Sequence, residues 1–151
     1  MKLAFKQFIE DLASQKAPGP STTFTAAHIF YALELMAAKP IGRNQLARKL
    51  EVGEGTVRTI ISRLKNNGLI ETSRQGCNLT DRGCTVWNKF DVLFPKRAEL
   101  GRTELTNAEH NYAFLVRNSG NNVKSGIEQR DAAIVVGATA AVIVVSKLGH
   151  L

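Results

Sequence analysis

Three features of the 151-residue chain predict an α+β fold. Apolar residues recur at helical spacing in five stretches before residue 94. Two short runs, Leu69 to Ser73 and Cys77 to Leu79, flank Arg74-Gln75-Gly76 as strands flank a hairpin tip. A β-branched run, Ala141-Val142-Ile143-Val144-Val145, has the composition of a strand. Helix, turn, helix and hairpin in that order describe a winged helix-turn-helix, here followed by a small β-α-β C-terminal domain.

The first helix is predicted over residues 3 to 12, where Phe5, Phe8, Ile9 and Leu12 share one face. Pro18-Gly19-Pro20 interrupts it, and Ser21-Thr22-Thr23 offers caps for a second helix from about Thr25 to Ala38. That helix ends at Lys39-Pro40, because a proline disfavours helical geometry in the residue before it. In the next helix Leu46, Ala47 and Leu50 point inward and Arg43, Arg48 and Lys49 outward. After Glu51-Val52-Gly53 a further helix over residues 54–67 buries Val57, Ile60, Ile61 and Leu64 at i, i+3, i+4 and i+7. Gly68 stands where a left-handed C-terminal residue ends a helix. Past the hairpin, Thr80 caps a helix running to about Phe94.

The organisation expected from these elements is an N-terminal helix and Pro/Gly linker (1–20), a winged-helix domain (21–94), a linker or short edge element (95–106) and a β-α-β domain (107–151). In the last, Tyr112 to Val116 reads as a strand and Asn118 to Asn122 as a turn ending in an N-cap. A helix follows from Val123 to Val136, and Ala141 to Val145 is a strand buried on both faces and parallel to the first. About 45 residues make a marginal core alone, so docking or a second subunit is expected.

Charge narrows the partners. The chain has 20 Lys and Arg against 13 Asp and Glu, a net +7. Up to Pro95 the counts are 13 basic and 8 acidic, and beyond it 7 and 5. A basic excess concentrated in the helix-turn-helix half favours a polyanion such as nucleic acid. No signal peptide is evident at Met1-Lys2-Leu3-Ala4-Phe5-Lys6, and the run from Ala132 to Val145 falls short of the about 20 residues of a membrane span. The expectation is a cytoplasmic protein with no membrane partner. Cys77 and Cys84, with His28, His110 and His150, have no metal-ligand spacing. No nucleophile, cofactor signature or catalytic constellation is visible; the pair Glu128 and Asp131 has no converging partner, so no enzymatic role is expected.

The chemistry centres on residues 54–67. Arg58 and Arg63 suit bidentate bonding to guanine, and Thr56, Thr59 and Ser62 suit base-edge or thymine-methyl contact. Lys65 is placed for phosphate, as are Arg43, at a helix N-terminus, and Arg48 and Lys49 beside it. Arg74 and Gln75 at the hairpin tip suit insertion into a neighbouring minor groove or contact with its phosphates. Double-stranded DNA is thus the expected partner, bound by a homodimer. The alternative is a winged-helix module that binds protein without direct DNA readout. In the tail, Ser119, Gly120, Asn121 and Asn122, with Lys124 and Arg130, form a candidate βα turn for a small anionic effector.

The segments Gly42-Arg43-Asn44-Gln45-Leu46-Ala47, Thr56-Val57-Arg58, Leu64-Lys65, Gly68-Leu69-Ile70 and Leu79-Thr80-Asp81-Arg82-Gly83 resemble the N-terminal winged-helix domain of central glycolytic gene regulators. The chain also resembles uncharacterised archaeal proteins that join such a domain to a short C-terminal α/β domain, in which a segment like Gly126-Ile127-Glu128-Gln129-Arg130-Asp131-Ala132-Ala133 lies near the end. The resemblance to the glycolytic regulators spans residues 24–94 and implies DNA binding. Their large sugar-phosphate-binding domain has no counterpart here.

Overall fold

The computed structural model describes residues 2–14, 24–135 and 137–146. These form an α+β protein with six α-helices and two small antiparallel sheets among the described residues. The Pro/Gly segment and the Ser21 to Thr23 caps lie outside them. The chain divides into two compact units, Met1–Lys89 and Phe90–Leu151.

The first unit contains α1 (Lys2–Ser14), α2 (Ala26–Ala38), α3 (Arg43–Leu50), α4 (Glu54–Asn66), β1 (Ile70–Ser73), β2 (Gly76–Leu79) and the start of α5 (Asp81–Leu93). Its core is one cluster. Ile9 and Leu12 of α1, Ile29 and Leu33 of α2, Leu46 of α3, Val57, Ile60 and Leu64 of α4, and Leu69 are each almost wholly removed from water. The 3.6-residue periodicity therefore selects the face each helix turns inward, and burial of these side chains drives their packing.

Local chemistry sets the boundaries. Thr25 caps α2 reciprocally with His28, whose Nδ1 accepts from the Thr25 backbone N–H at 3.1 Å. The α3–α4 turn is made by Glu51 in the left-handed region (φ 55°) and by extended Gly53 as N-cap of α4. At the far end of α4, Gly68 (φ 66°) gives its N–H to Lys65 and Leu69 gives its own to Leu64, both at 2.9 Å. This pair of bonds is a Schellman motif, and it turns the chain sharply into β1.

β1 and β2 pair antiparallel with Ile70 opposite Leu79 and Ser73 opposite Gly76. Ile41, just before α3, extends this small sheet by a two-way exchange with Cys77 (3.2 and 2.9 Å). Thr80 joins the hairpin to α5: its Oγ1 donates to the Gly68 carbonyl at 2.6 Å and accepts the Gly83 N–H at 3.1 Å. Gly83 leaves no room for a side chain, since a Cβ there would lie 2.0 Å from the Leu69 carbonyl oxygen.

The second unit departs from the expected β-α-β topology. Residues 95–106, expected as a linker or a short edge element, contain β3 (Lys96–Leu100), which pairs antiparallel with β4 (Asn111–Leu115). The register explains why alternation did not reveal β3. Arg97 lies opposite Phe114 and Glu99 opposite Tyr112, so charged side chains occupy positions where an amphipathic strand would carry apolar ones. Phe94 packs edge-on to Phe114 (6.2 Å), and Arg97 lies over Phe90 (5.5 Å) while pairing with Asp91 at 3.2 Å.

Two further expectations fail in this unit. The helix α6 (Ile127–Val135) begins at Ile127 and not at Val123, because Gly126 adopts φ 77° and interrupts helical geometry just before it; Val136, the expected last residue, lies outside the described residues. Residues 120–122 form a separate 3-10 turn instead of leading into the helix. The run Ala141 to Val145 pairs with no described strand, so the parallel strand buried on both faces is absent.

Candidate nucleic-acid interface

α4 carries two kinds of surface. Its inner stripe is the core already described. On the other side Gly55, Arg58 and Ser62 are exposed and Thr56 and Thr59 half-buried. Arg58 approaches Glu54 at 4.0 Å, one turn earlier, with both side chains more than two-thirds exposed. An ion pair so open to water is weak, and it leaves the guanidinium available for exchange onto another anion. Thr59 Oγ1 donates to the Gly55 carbonyl at 3.1 Å within its own helix, which commits its proton and leaves the oxygen able to accept.

Arg63 does not belong to this surface. It is 5% exposed, the one buried charged side chain among the described residues. Its Nη1 donates to the backbone carbonyls of Leu12 (2.9 Å) and Ala13 (2.7 Å), and its guanidinium lies over the Phe24 ring at 4.9 Å. Burial lowers its pKa from the ordinary arginine value. The expectation that Arg63 reads a base is therefore corrected. Its position flanks the inner stripe, where α1 lacks a basic residue in its own last turn and Arg63 satisfies two of the carbonyls left open there.

The other cations expected at the site lie on α3, at the end of α4 and on the hairpin turn. Arg43, at the first position of α3, lines a small groove with Asn44, Glu54, Val57 and Arg58, so the N-terminal turns of α3 and α4 meet around two guanidiniums and one carboxylate. Asn44 was not anticipated as part of the site; its only sequence signal is its place beside Arg43 in the first turn of α3. Arg48 and Lys49 are exposed in the last turn of α3. Lys65 is exposed near the end of α4 and reaches Thr72 Oγ1 of β1 at 3.5 Å, which aims it toward the hairpin. Arg74 and Gln75 form the exposed turn between β1 and β2. The Ser73 hydroxyl holds that turn by accepting the Gln75 N–H at 3.1 Å.

Cys77 records the same field from inside. Burial pushes its thiol pKa up, while the positive charges of Arg43 and Lys65 pull it part of the way back. Both cysteines are free thiols, Cys77 buried and Cys84 exposed. No group of three or more metal-capable side chains occurs among the described residues, and no helix there is long and apolar enough to cross a membrane.

The residues of the candidate effector site do not form the βα turn expected of them. Asn118 is left-handed (φ 51°) and Ser119 Oγ donates to the Arg117 carbonyl at 3.0 Å. Gly120, Asn121 and Asn122 make their 3-10 turn, and exposed Lys124 follows in a bend before α6. Arg130 is engaged by neighbouring Asp131 at 2.8 and 3.0 Å. The loop amides and the first turn of α6 are thus separated, and the preorganised anion cradle is lost.

Comparison with known proteins gives a consistent but unassigned relationship. Residues 28–85 match a family model described as the PH0730-like N-terminal domain, and residues 107–151 match a domain of unknown function, DUF4443. No functionally curated protein matches. Among solved structures, the hypothetical protein PH0730 from Pyrococcus horikoshii OT3 superposes with a TM-score of 0.64 at 27% sequence identity, covering 78% of this chain. The alignment spans 59% of that archaeal protein's length. In sequence and in fold, the chain is therefore similar to an archaeal protein described only as hypothetical.

Proposed function

We infer that the chain is a sequence-specific DNA-binding transcriptional regulator of the winged helix-turn-helix type, with residues 54–67 as recognition helix and β1–β2 as the wing. The observation that carries this reading is the outward face of α4, where Arg58 and Ser62 are exposed and Thr59 half-buried, with Arg43 of α3 lining the same groove as Arg58. An α-helix about 10–12 Å across fits a major groove about 12 Å wide. Arg58 reads a base edge, Thr56, Thr59 and Ser62 contact neighbouring bases, and Arg43, Arg48, Lys49 and Lys65 hold phosphates. The likeness of residues 24–94 to the DNA-binding domain of central glycolytic gene regulators supports the same assignment.

Glu54 gives the groove a further property. Its carboxylate, in the groove with Arg43 and Arg58, repels a phosphate that comes close to it. Such a site discriminates more than a uniformly basic surface does. The protein acts in the cytoplasm as a homodimer, whose two recognition helices reach half-sites separated by about 10 base pairs or a multiple of that.

The test is a titration of labelled duplexes selected from a random library, repeated over a range of salt concentrations. Phosphate contacts release counterions, so log affinity falls linearly with log salt at a slope near 0.9 per contact. Selection of a common sequence together with a slope of several ions supports the reading. Binding that is absent at every salt concentration overturns it and leaves the protein-binding module in its place.

A further inference from the structure

The second unit has little interior. Among its described residues Phe90 is the one buried hydrophobic side chain, while Leu105, Tyr112, Phe114, Ile127, Val135, Val142 and Val144 are each at least half exposed. Within this unit the run from Ala141 to Ser146 stands apart. It belongs to no helix and no ladder, and no backbone hydrogen bond joins it to a described residue. Its burial nevertheless alternates with period two, as extended chain does. Ala141, Ile143 and Val145 are half-buried, and Val142, Val144 and Ser146 are exposed.

The inward side chains hold it in place. Ile143 lies against Gly126, where an added Cβ would come within 3.2 Å of it, and Val145 lies against Gly120, where the distance would be 2.9 Å. Five β-branched or small apolar residues are thus laid along the unit in strand-like fashion, their peptide groups paired with none of the described residues. An exposed strand of this composition is a template for another strand.

We propose that Ala141 to Val145 pairs antiparallel with the same segment of a second copy, across a two-fold axis at Ile143. Three observations select a second copy as the occupant. A two-fold axis perpendicular to a sheet keeps each residue on its own face, so the axis must pass through a residue and not between two. Centred on Ile143, the sequence Val142-Ile143-Val144 is palindromic, and Ala141 faces the larger Val145 of the other copy, small against large. Finally, each chain carries a net charge of +7, which drives copies apart wherever basic surfaces meet, whereas residues 132–146 contain no charged side chain at all.

The pairing joins Ala141, Ile143 and Val145 of both copies into one continuous apolar face and leaves Val142 opposite Val144 on the other face. It rests on the homodimer of the proposed function and names its interface, but uses none of the residues assigned to DNA, so a duplex titration of the same chain tests the DNA contacts separately.

The experiment uses the full-length chain in sedimentation velocity over a range of concentrations, with the double variants Val142→Lys/Val144→Lys and Val142→Glu/Val144→Glu. The exposed positions were chosen so that the inward-packed residues stay unchanged. The wild type is expected to sediment as a dimer. Each double variant is expected to be monomeric, because four like charges meet about the axis, and an equimolar mixture of the two is expected to recover dimer through opposite-charge pairs. Amide hydrogen exchange on the wild type provides a readout that needs no variant: amides within 141–146 are protected at high concentration and lose that protection on dilution. A monomeric wild type overturns the proposal. So does a dimer that persists in both charged variants, or one whose 141–146 amides exchange freely, since either result places the interface elsewhere, on α1 or α5 for example.

Discussion

Arg63 is the residue whose role differs most between sequence and structure, and its substitution separates the two. In Arg63→Ala the carbonyls of Leu12 and Ala13 lose a charged donor at 2.9 and 2.7 Å, and Phe24 loses the cation 4.9 Å from its ring centre. A hydrogen bond to a charged group contributes about 1.5–3 kcal/mol net. Both bonds here come from one nitrogen, so their sum is less than twice that figure. A cation over an aromatic ring adds about 0.5–2 kcal/mol. Removal of the guanidinium also eliminates the cost of keeping a charge out of water, which opposes these losses. The expected net destabilisation is about 2–4 kcal/mol.

Urea denaturation followed by circular dichroism gives this number directly. Arg63→Lys, which keeps a charge and one donor direction but loses the planar fork, should fall between wild type and alanine. Arg58→Ala is the control on the same helix. Its partner is an exposed carboxylate at 4.0 Å, so stability should change by less than about 0.5 kcal/mol. On the selected duplex the order reverses: Arg58→Ala costs about 1–3 kcal/mol and relaxes discrimination at one base position. If Arg63→Ala instead left the denaturation midpoint unchanged and relaxed base discrimination as Arg58→Ala does, the buried placement of Arg63 would be wrong.

Other expectations follow from single contacts. Arg43→Ala should weaken binding to all duplexes alike and lower the salt slope by about 1, because its partner is a phosphate and not a base; a sequence-dependent loss would move Arg43 into base readout. Gly83→Ala forces a Cβ to within 2.0 Å of the Leu69 oxygen, so it should destabilise by about 3 kcal/mol or more in thermal or urea unfolding. Thr80→Val removes both the bond to the Gly68 carbonyl and the cap on the Gly83 N–H, a loss of about 1–2 kcal/mol in the same assay. Cys77 has its folded-state pKa raised by burial, so its contribution is complete below the unfolded value and declines as pH rises toward the folded one. Stability should therefore fall above about pH 8.5, and Cys77→Ala should flatten that decline in urea midpoints measured across alkaline pH.

The two units differ in how much of their structure shows in the residues. In the first, each helix closes its own apolar stripe against the others, so periodicity at Val57, Ile60, Ile61 and Leu64 corresponds to burial at those positions. Its breakpoints are also local: Gly68 ends α4, and Thr80 caps α5 through bonds to near neighbours in space. Arg63 escaped this reading because its partners lie about fifty residues away, on α1, and an arginine on the flank of a stripe has the same pattern whether it faces solvent or another helix's end. In the second unit the signal is weaker. β3 pairs charged residues with aromatics across a hairpin, which no alternation of apolar residues reports. The run at 141–145 does have strand composition, but composition states a preference for extended backbone and names no partner. Without one within the described residues, the preference yields extended chain and no ladder.

The division of labour on α4 follows from the geometry of a short helix that is packed on one side. Thirteen residues supply an inner stripe, an outer face and two flanks, and a flank residue is committed by whichever neighbour reaches it. Arg63 is reached by the C-terminal end of α1, Arg58 by nothing heavier than an exposed glutamate. Consequently α1 fixes the position of α4 without covering the surface that α4 presents. A helix that lies in the major groove against base edges must hold its position to within about 0.5 Å for bidentate bonding to discriminate, and the Arg63 link opposes rotation of α4 about its own axis. Deletion of residues 1–14 should therefore lower sequence discrimination on the selected duplex as well as stability, even though none of those residues lies on the proposed DNA surface. A truncated chain that remains folded and discriminates as the intact one does would show that the core of the first unit alone orients α4.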